Sequence, residues 1–271
     1  MFYREFQPHT VLKKYIHCYW ILENDCKPDA PEPQRILPDG SMELIFHFKD
    51  PVQRRTNGAG FELQAPATVS GQIKHFIQLQ PTGKMGVLGV RFRPAGALPF
   101  LRMPMSELAE KVHSVDLIWG RIGKELIEQV LSASSHRQRI QFVEKFLLKR
   151  SEQNPRSDAL IQEAVKEISV RDGAATVDFL MRRLKISGRH LERKFGEHVG
   201  LSPKRFSRIV RFQNVFRIAT YEVQLNLTAL AHRAGYYDQA HFIREFKEFS
   251  GLLPSEYFSR EHSLTECFTA K

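Results

Sequence analysis

The chain has 271 residues, and because domains usually hold about 100–200 residues, this length favours two of them. Apolar residues make up 42% of the sequence and aromatic residues 11%, enough to fill a core, which excludes a disordered chain. Forty lysines and arginines against thirty acidic residues give a net charge of +10. A nucleic acid or an anionic membrane surface is therefore the first partner to consider.

The first 110 residues have the period-two alternation of β-strands. The clearest strands are predicted at 15–22, 42–48 and 88–92, with turns at Pro38-Asp39-Gly40, Asn57-Gly58, Pro81-Thr82-Gly83 and Pro94-Ala95-Gly96. This pattern predicts a small, barrel-like β-domain.

From about Ser106 onward the apolar period becomes helical. Two apolar stripes consist of Ile118, Ile122, Leu126 and Val130, and of Phe142, Val143, Phe146 and Leu147. They either cover the β-domain or form a dimer face. The polar run 149–156, which contains Pro155, is the predicted linker. We therefore predict an N-terminal domain over 1–153, a helical domain over 154–262 and a tail over 263–271, which makes an α+β fold.

The C-terminal half contains an internal repeat with an offset of 51 residues. Residues 187–206 and 238–257 are identical at seven of twenty positions, including a Gly-x-x-Pro motif. The matched pairs are His190 and His241, Arg193 and Arg244, Phe195 and Phe246, Glu197 and Glu248, Gly200 and Gly251, Leu201 and Leu252, and Pro203 and Pro254. One supersecondary unit is thus used twice.

Each unit is predicted to be a short helix, a turn and a second helix, which is helix-turn-helix geometry. Ser187 and Asp238 are the expected N-caps of the second helices, and Gly200 and Gly251 the expected ends. A connector over residues 203 to about 221 joins the units. As a helix it would be roughly 28 Å long, near one turn of B-DNA, so one chain could place a helix in each of two successive major grooves.

Residues 158 to about 260 resemble the DNA-binding domain of the AraC family of bacterial transcription regulators. The resemblance rests on the long connector, on the segment Ala234-Gly235-Tyr236-Tyr237-Asp238-Gln239, on Phe242-x-Arg244-x-Phe246-Lys247, and on Gly251-x-x-Pro254-x-x-Tyr257. It implies about seven helices in two helix-turn-helix units joined by a long helix.

The resemblance also implies which side chains meet DNA. In this family the second helix of each unit, here called the recognition helix, reads bases. The candidates for base contact are Arg189, Glu192, Arg193, Gln239, Ala240, Ile243 and Arg244. The candidates for backbone contact are Lys204, Arg205, Arg208, Arg211, His190 and His241. Arginine can bond guanine and glutamate can accept from cytosine, whereas Ala240 and Ile243 offer no such bonds. An ion pair between Arg189 and Glu192 is the main alternative for those two residues.

The N-terminal half resembles sensing or dimerisation domains found on some AraC-type regulators, through His17-Cys18-Tyr19-Trp20, Leu37-Pro38-Asp39-Gly40 and Gly89-Val90-Arg91-Phe92-x-Pro94. The resemblance names no effector. His47 stands alone where a cupin metal site needs two close histidines and a carboxylate, so neither a metal nor another cofactor is expected.

Two other functions are alternatives to transcription regulation. Some proteins with this helix-turn-helix type repair alkylated DNA through a zinc-held cysteine, but that needs four cysteine ligands. Cys18 and Cys26 are the two cysteines of this half, with Cys267 far away, and Cys18 is expected to be an inert core thiol. A structural DNA binder without sequence preference is the second alternative.

The sequence therefore predicts a sequence-specific, non-enzymatic transcription regulator that binds double-stranded operator or promoter DNA. RNA polymerase, a second copy of the chain and a small-molecule effector are the further partners expected. The N-terminus has charges where a signal peptide needs apolar residues, and no apolar run approaches about 18 residues. We therefore expect a cytoplasmic protein with no membrane partner.

Overall fold

The computed structural model describes residues 1–24, 33–56, 59–154, 157–220 and 226–259. Within them a β-rich N-terminal part is followed by helices, which confirms the predicted α+β class. Among these residues no helix combines the length and the apolar character that crossing a membrane requires. Cys26, the Asn57-Gly58 turn, Pro155 and the tail 263–271 lie outside the described residues.

The strands of the N-terminal part form two sheets that are antiparallel at every pairing described. The strands are β1 Phe2–Phe6, β2 Ile16–Asn24, β3 Gln34–Ile36, β4 Glu43–His47, β5 Val52–Arg55, β6 Glu62–Leu63, β7 Ala67–Ser70, β8 Ile77–Pro81, β9 Met85–Phe92 and β10 Val112–Ser114. One sheet has the order β1-β2-β9-β4-β7-β10 and the other the order β3-β8-β5-β6. The three clearest predicted strands are thus confirmed as β2, β4 and β9, and they lie side by side in the order β2-β9-β4.

Strand β2 is buried on both faces because a different layer covers each of them. Tyr19 and Ile21 belong to the larger core, together with Leu44 and Phe46 of β4. Cys18, Trp20 and Leu22 point to the other side, where the second sheet lies. This alternation of side chains along an extended strand explains why nearly the whole of β2 is apolar.

Three helices cover the outer face of the larger sheet. They are α1 Val115–Trp119, α2 Arg121–Ser132 and α3 His136–Gln153. Leu126, Val130, Val143 and Leu147 pack into the larger core, so the predicted stripes cover the β-domain. The first stripe is divided between two helices because α1 ends at Gly120. Ile118 lies on α1, whereas Ile122, Leu126 and Val130 lie on α2.

The predicted linker is shorter than its sequence suggests, since α3 continues through Gln153. Arg150 in this polar run is buried and donates a hydrogen bond from Nη2 to the carbonyl oxygen of Phe100 at 3.2 Å. A tertiary contact therefore keeps a segment helical that by composition is typical of a linker.

The C-terminal half consists of helices, seven among the described residues, as predicted. They are α4 Ala159–Val170, α5 Val177–Leu184, α6 Gly188–Val199, α7 Pro203–Ala219, α8 Leu227–Arg233, α9 Gln239–Ser250 and α10 Pro254–Phe258. Phe195, Phe212, Phe242 and Phe246 are fully buried in their common core. The connector is helix α7, and its seventeen residues correspond to about 25 Å.

Two loops of the N-terminal part pack against the C-terminal helices. Leu37 is buried in the C-terminal core, and the carbonyl oxygen of Pro38 accepts a hydrogen bond from Gln213 Nε2 at 2.6 Å. In the second loop, the carbonyl oxygen of Lys74 accepts a hydrogen bond from Arg205. The connector therefore contacts the N-terminal part as well as both units.

Candidate nucleic-acid interface

The first unit consists of α5 and α6 and has the predicted caps. Helix α5 begins after Thr176, whose side chain accepts a hydrogen bond from Phe179 N at 3.1 Å. Helix α6 begins after Ser187, whose hydroxyl accepts from His190 N at 3.3 Å, and ends at Gly200 with φ +88°. A Cβ at Gly200 would lie 2.8 Å from the carbonyl oxygen of Met105, so both the conformation and the space favour glycine.

The second unit, α8 and α9, repeats this construction. The side chain of Asn226 caps α8 by accepting from Thr228 N and Ala229 N. Asp238 caps α9 by accepting from His241 N at 2.7 Å. Gly251 ends α9 with φ +73°. The helix ends of both units are therefore fixed by the same types of residue.

The inward and outward faces of both recognition helices agree with the repeat. Leu191 and Phe195 of α6 are fully buried, as are Phe242 and Phe246 of α9. The predicted base contacts are exposed except for Ile243, which is half-buried: Arg189, Glu192, Arg193, Gln239, Ala240 and Arg244. Each recognition helix thus presents most of its predicted reading face to solvent, which a base contact requires.

Ion pairing within α6 differs from the alternative raised by the sequence. The pair found is Arg193 Nη1 with Glu197 Oε2, 3.8 Å apart, and the Arg193 side chain remains 61% exposed. Among the residues that the structure describes, neither Arg189 nor Glu192 has an ion-pair partner. Both side chains are therefore available to a ligand.

The arginines of the connector are held by two carboxylates of α9. Glu245, only 2% exposed, accepts from Arg208 Nε at 2.6 Å and from Arg211 Nη2 at 3.0 Å. Glu248 pairs with both Arg205 and Arg208. Burial raises the pKa of Glu248, but hydrogen bonds from Arg208 and Arg205 outweigh this and hold the pKa below its ordinary value. We call these five residues the carboxylate clamp.

Aromatic rings complete the carboxylate clamp. The guanidinium of Arg205 lies 4.6 Å from the ring centre of Phe249, and that of Arg211 lies 4.9 Å from the ring centre of Tyr236. Such stacking adds to the ion pairs and fixes the planes of the guanidinium groups. Contact of Arg205, Arg208 and Arg211 with the DNA backbone remains a prediction, and in the structure these groups join α7 to α9.

The cations that stay outside such pairs lie on both units and on the connector. In the described part of the chain, four exposed cations between residues 182 and 217 have no acidic partner: Arg182, Lys185, Arg189 and Lys204. On the second recognition helix, Arg244 and Lys247 are exposed and likewise unpaired with described residues. Sequence reasoning missed Lys185, which ends α5 with φ +54° and lies in the turn between the helices of the first unit.

The two repeated histidines differ in their surroundings. His190 is exposed at the start of α6. His241 packs edge-on against Tyr236, with ring centres 5.3 Å apart, and its Nε2 lies 3.8 Å from Glu245. His241 also lines a cleft between α7 and α9 that Lys204 and Arg244 share. That cleft brings a predicted backbone contact and a predicted base contact to one surface.

Cys18 forms no disulfide with another described residue and is fully buried in β2 within the smaller apolar cluster. Its position confirms the predicted core thiol. A thiol without access to solvent cannot reach an alkylated base, so this residue gives no support to DNA repair chemistry.

Comparisons with known proteins agree with this geometry. Residues 180–260 match a family model described as a helix-turn-helix domain, and residues 4–114 match a domain of unknown function, DUF6597. An uncharacterized HTH-type transcriptional regulator of Haemophilus influenzae is 38% identical over 65 residues, which are 24% of this chain and 22% of that protein. The chain therefore matches about a fifth of the length of this relative.

Similar solved structures include ToxT from Vibrio cholerae, which is 10% identical and covers 89% of this chain and 97% of its own, with a TM-score of 0.49. The AraC-like transcriptional activator CuxR is 14% identical over 75% of this chain and 73% of its own, with a TM-score of 0.25.

The duplicated helix pair and the family match define a helix-turn-helix protein whose two recognition helices are exposed. The connector α7 and the second unit agree in detail with the resemblance described above. Residues 180–260 therefore form a helix-turn-helix domain, and the chain resembles the AraC type of helix-turn-helix transcription regulators.

Proposed function

We propose that the protein regulates transcription by binding a specific double-stranded DNA sequence with both recognition helices, each in one of two successive major grooves. The observation that carries the proposal is the duplicated unit, in which α6 and α9 have equivalent caps, equivalent buried faces and exposed reading faces. A helix exposed in this way can enter the major groove, where base edges are distinguishable.

The connector supports reading by a single chain. At about 25 Å, α7 is shorter than one turn of B-DNA, which is about 34 Å, and α9 packs beside its N-terminal half through Arg205, Arg208 and Arg211. The carboxylate clamp fixes α9 against α7, so the second unit has a defined position relative to the connector. A fixed spacing between two reading helices favours one register of two half-sites.

The first unit would provide most of the readout. Arg189, Glu192 and Arg193 of α6 can bond guanine or cytosine edges, and Arg182, Lys185 and Lys204 are exposed cations without an acidic partner among the described residues. On α9, Gln239 and Arg244 are the polar candidates, while Ala240 and Ile243 suit contact with a thymine methyl group. Lys204, with His190 and His241, would hold the phosphates.

The N-terminal part would modulate this activity without catalysis. Its two loops contact the connector, so a change in the N-terminal part can alter how the units are presented. Regulation requires that an effector or a second copy of the chain bind one arrangement more tightly than the other. Contact with RNA polymerase and action in the bacterial cytoplasm complete the proposal, since the target would be chromosomal DNA.

The test is selection of DNA from a random pool by the full-length protein, followed by competition binding at fixed salt. We expect two short conserved half-sites about one helical turn apart and an affinity at least about 10³-fold above random DNA. Enrichment of no sequence, or equal affinity for random DNA, would overturn the proposal and favour a structural DNA binder.

A further inference from the structure

Both recognition helices end against the N-terminal part of the chain. At the end of α6, an added Cβ on Gly200 would lie 2.8 Å from the carbonyl oxygen of Met105. At the end of α9, an added Cβ on Gly251 would overlap the ring of Phe76, which packs against the C-terminal core. The two end glycines of the repeat therefore have a second role, because each lets a segment of the N-terminal part approach the helix backbone closely.

Two further contacts of the N-terminal part fall at the start of the connector α7. An added Cβ on Gly40 would lie 2.8 Å from the ring of Phe206. The carbonyl oxygen of Lys74 accepts a hydrogen bond from Arg205, the residue before Phe206. The N-terminal part thus contacts α6, α7 and α9, the three helices whose arrangement decides where the two reading faces lie.

The segments that make these contacts leave the larger sheet at one end. Ser70, the last residue of β7, pairs with Glu43, the first residue of β4, and with Val112, the first residue of β10. Because these neighbouring strands are antiparallel, the chain before β4, the chain after β7 and the chain before β10 emerge side by side. We call the three segments the brace: residues 37–40, 72–76 and 105–110.

The segments of the brace are also bonded to one another. Gln72, only 1% exposed, donates a hydrogen bond from Nε2 to the carbonyl oxygen of Gly40 at 2.7 Å. The carbonyl oxygen of Gln72 accepts from Glu110 N at 2.7 Å, and Lys74 Nζ lies 3.1 Å from the Glu110 carboxylate. The brace is therefore one body, supported by a sheet, rather than three independent loops.

The brace contacts the two recognition helices in different ways. Helix α6 lies against its turn Met105–Glu107 more extensively than against any described helix of the C-terminal half. Helix α9 meets the brace at its end, through Phe76, and is joined to α7 by the carboxylate clamp as well. Both helices thus share one support outside their own half of the chain.

We propose that the brace sets the spacing at which the two recognition helices meet DNA, with Phe76 as the positioning residue for the second unit. This inference rests on the proposed function, because spacing matters when both helices read one duplex. A single body that touches the ends of α6 and α9 limits how far these helices move relative to each other. One base pair inserted between the half-sites shifts one of them by about 3.4 Å and rotates it by about 35°, which a braced pair of helices cannot follow.

The first test measures the affinity of the full-length protein for its selected DNA and for the same DNA with one base pair inserted between the half-sites. Fluorescence anisotropy at fixed salt gives the ratio of the two affinities. We expect the insertion to weaken binding by the unchanged protein at least about ten-fold, and by Phe76→Ala less than about three-fold. Loss of folded protein affects both DNAs equally, so a merely structural role of Phe76 would leave the ratio unchanged.

The matched control is Phe61→Ala, which should keep the ratio of the unchanged protein. Phe61 and Phe76 are both half-buried, and each ring lies near a guanidinium group, 4.6 Å from Arg55 and 5.3 Å from Arg35 respectively. They differ in that Phe76 packs against the C-terminal core. If Phe76→Ala fails to fold, Phe76→Leu should lower the ratio in the same direction by a smaller amount.

The second test needs no DNA and measures the distance between the recognition helices. Spin labels are attached at Glu192→Cys and Lys247→Cys, both exposed positions, after serine replaces the two cysteines other than the buried Cys18. Pulsed electron resonance then gives the distribution of distances between α6 and α9. Phe76→Ala should broaden this distribution, whereas Phe61→Ala should leave it as narrow as in the unchanged protein.

Three results would overturn the inference: an unchanged ratio in Phe76→Ala, an unchanged distance distribution in Phe76→Ala, or equal binding of both DNAs by the unchanged protein. Failure of the proposed function looks different, because the unchanged protein would then select no DNA sequence. A distribution that broadens in Phe76→Ala without any selected sequence would refute the proposed function and support the positioning role of the brace. Specific DNA binding with an unchanged ratio would refute the role of the brace alone.

Discussion

In the first helix-turn-helix unit the recognition helix α6 keeps its predicted reading face exposed, and its ion pairs are Arg193 with Glu197 and Lys194 with Asp158. In the second unit α9 turns two carboxylates, Glu245 and Glu248, onto three arginines of the connector. The two helices share the positions of their N-caps and end glycines, and the repeat places the buried Glu245 of α9 opposite Lys194 of α6. The second recognition helix is thus tied to the connector by ion pairs that the first one lacks among the described residues, and the following experiments test this contrast.

The largest effect is expected for Glu245→Gln. This change leaves Arg208 and Arg211 without their buried carboxylate, and losing one partner of such a pair should lower the free energy of unfolding by on the order of 3 kcal/mol. Urea-induced unfolding followed by circular dichroism measures it. The matched control is Glu197→Gln, whose partner Arg193 is exposed, and which should cost less than about 0.5 kcal/mol. Equal losses would show that the second unit is not held more firmly than the first.

Arg193 and Arg244 occupy equivalent positions of the repeat and test which unit reads bases. Arg193→Ala should weaken binding to the selected DNA by about 1–3 kcal/mol and relax the preference at one base pair. Arg244→Ala should cost less, because the neighbouring Ala240 and Ile243 add no hydrogen bonds to its readout. Fluorescence anisotropy with single-base operator variants measures both. A larger loss for Arg244 would reverse the assignment of the two units.

Lys204 and Arg208 lie one helical turn apart on the connector, but only Arg208 is paired with acids. Lys204→Ala should weaken all DNA sequences alike and reduce the slope of log affinity against log salt by about 1. Arg208→Ala should leave that slope unchanged and lower the stability instead. A loss of slope in both variants would mean that Arg208 leaves the carboxylate clamp to meet a phosphate.

The smallest effect is expected from pH. Because the pKa of Glu248 is lower in the folded protein than its ordinary value, its ion pairs stabilise the fold above that ordinary value and cease to do so as pH falls through the lowered one. Unfolding free energies measured from pH 7 down to the acid range should fall less steeply in Glu248→Gln than in the unchanged protein. Parallel curves would show that the ion pairs of Glu248 do not contribute to the stability of the fold.

Features set by neighbouring residues were predictable from the sequence. The caps Ser187 and Asp238 and the end glycines Gly200 and Gly251 act within one turn of the chain, so the bounds of α6 and α9 followed from residue types. The strands β2, β4 and β9 followed from alternation for the same reason.

Features that depend on distant contacts were not predictable. The arginines of α7 had the pattern of a solvent-exposed basic face, because Glu245 and Glu248 lie 34 to 43 residues further along the chain. Likewise the residues around Arg150 have the composition of a linker. The segment is helical instead, and Arg150 donates a hydrogen bond to the carbonyl oxygen of Phe100, 50 residues away. The reading faces of the recognition helices were located by the repeat, but their contacts with bases remain a prediction.

Leu37 links the folding of the two halves. It belongs by sequence to the β-rich part, yet its side chain fills a place in the C-terminal core, only 3% exposed. A fragment starting at residue 154 would contain an unfilled hollow at that place, and a fragment ending at 153 would expose an apolar side chain to water. The two halves should therefore melt in a single cooperative transition, and either half made alone should be less stable than it is in the whole chain.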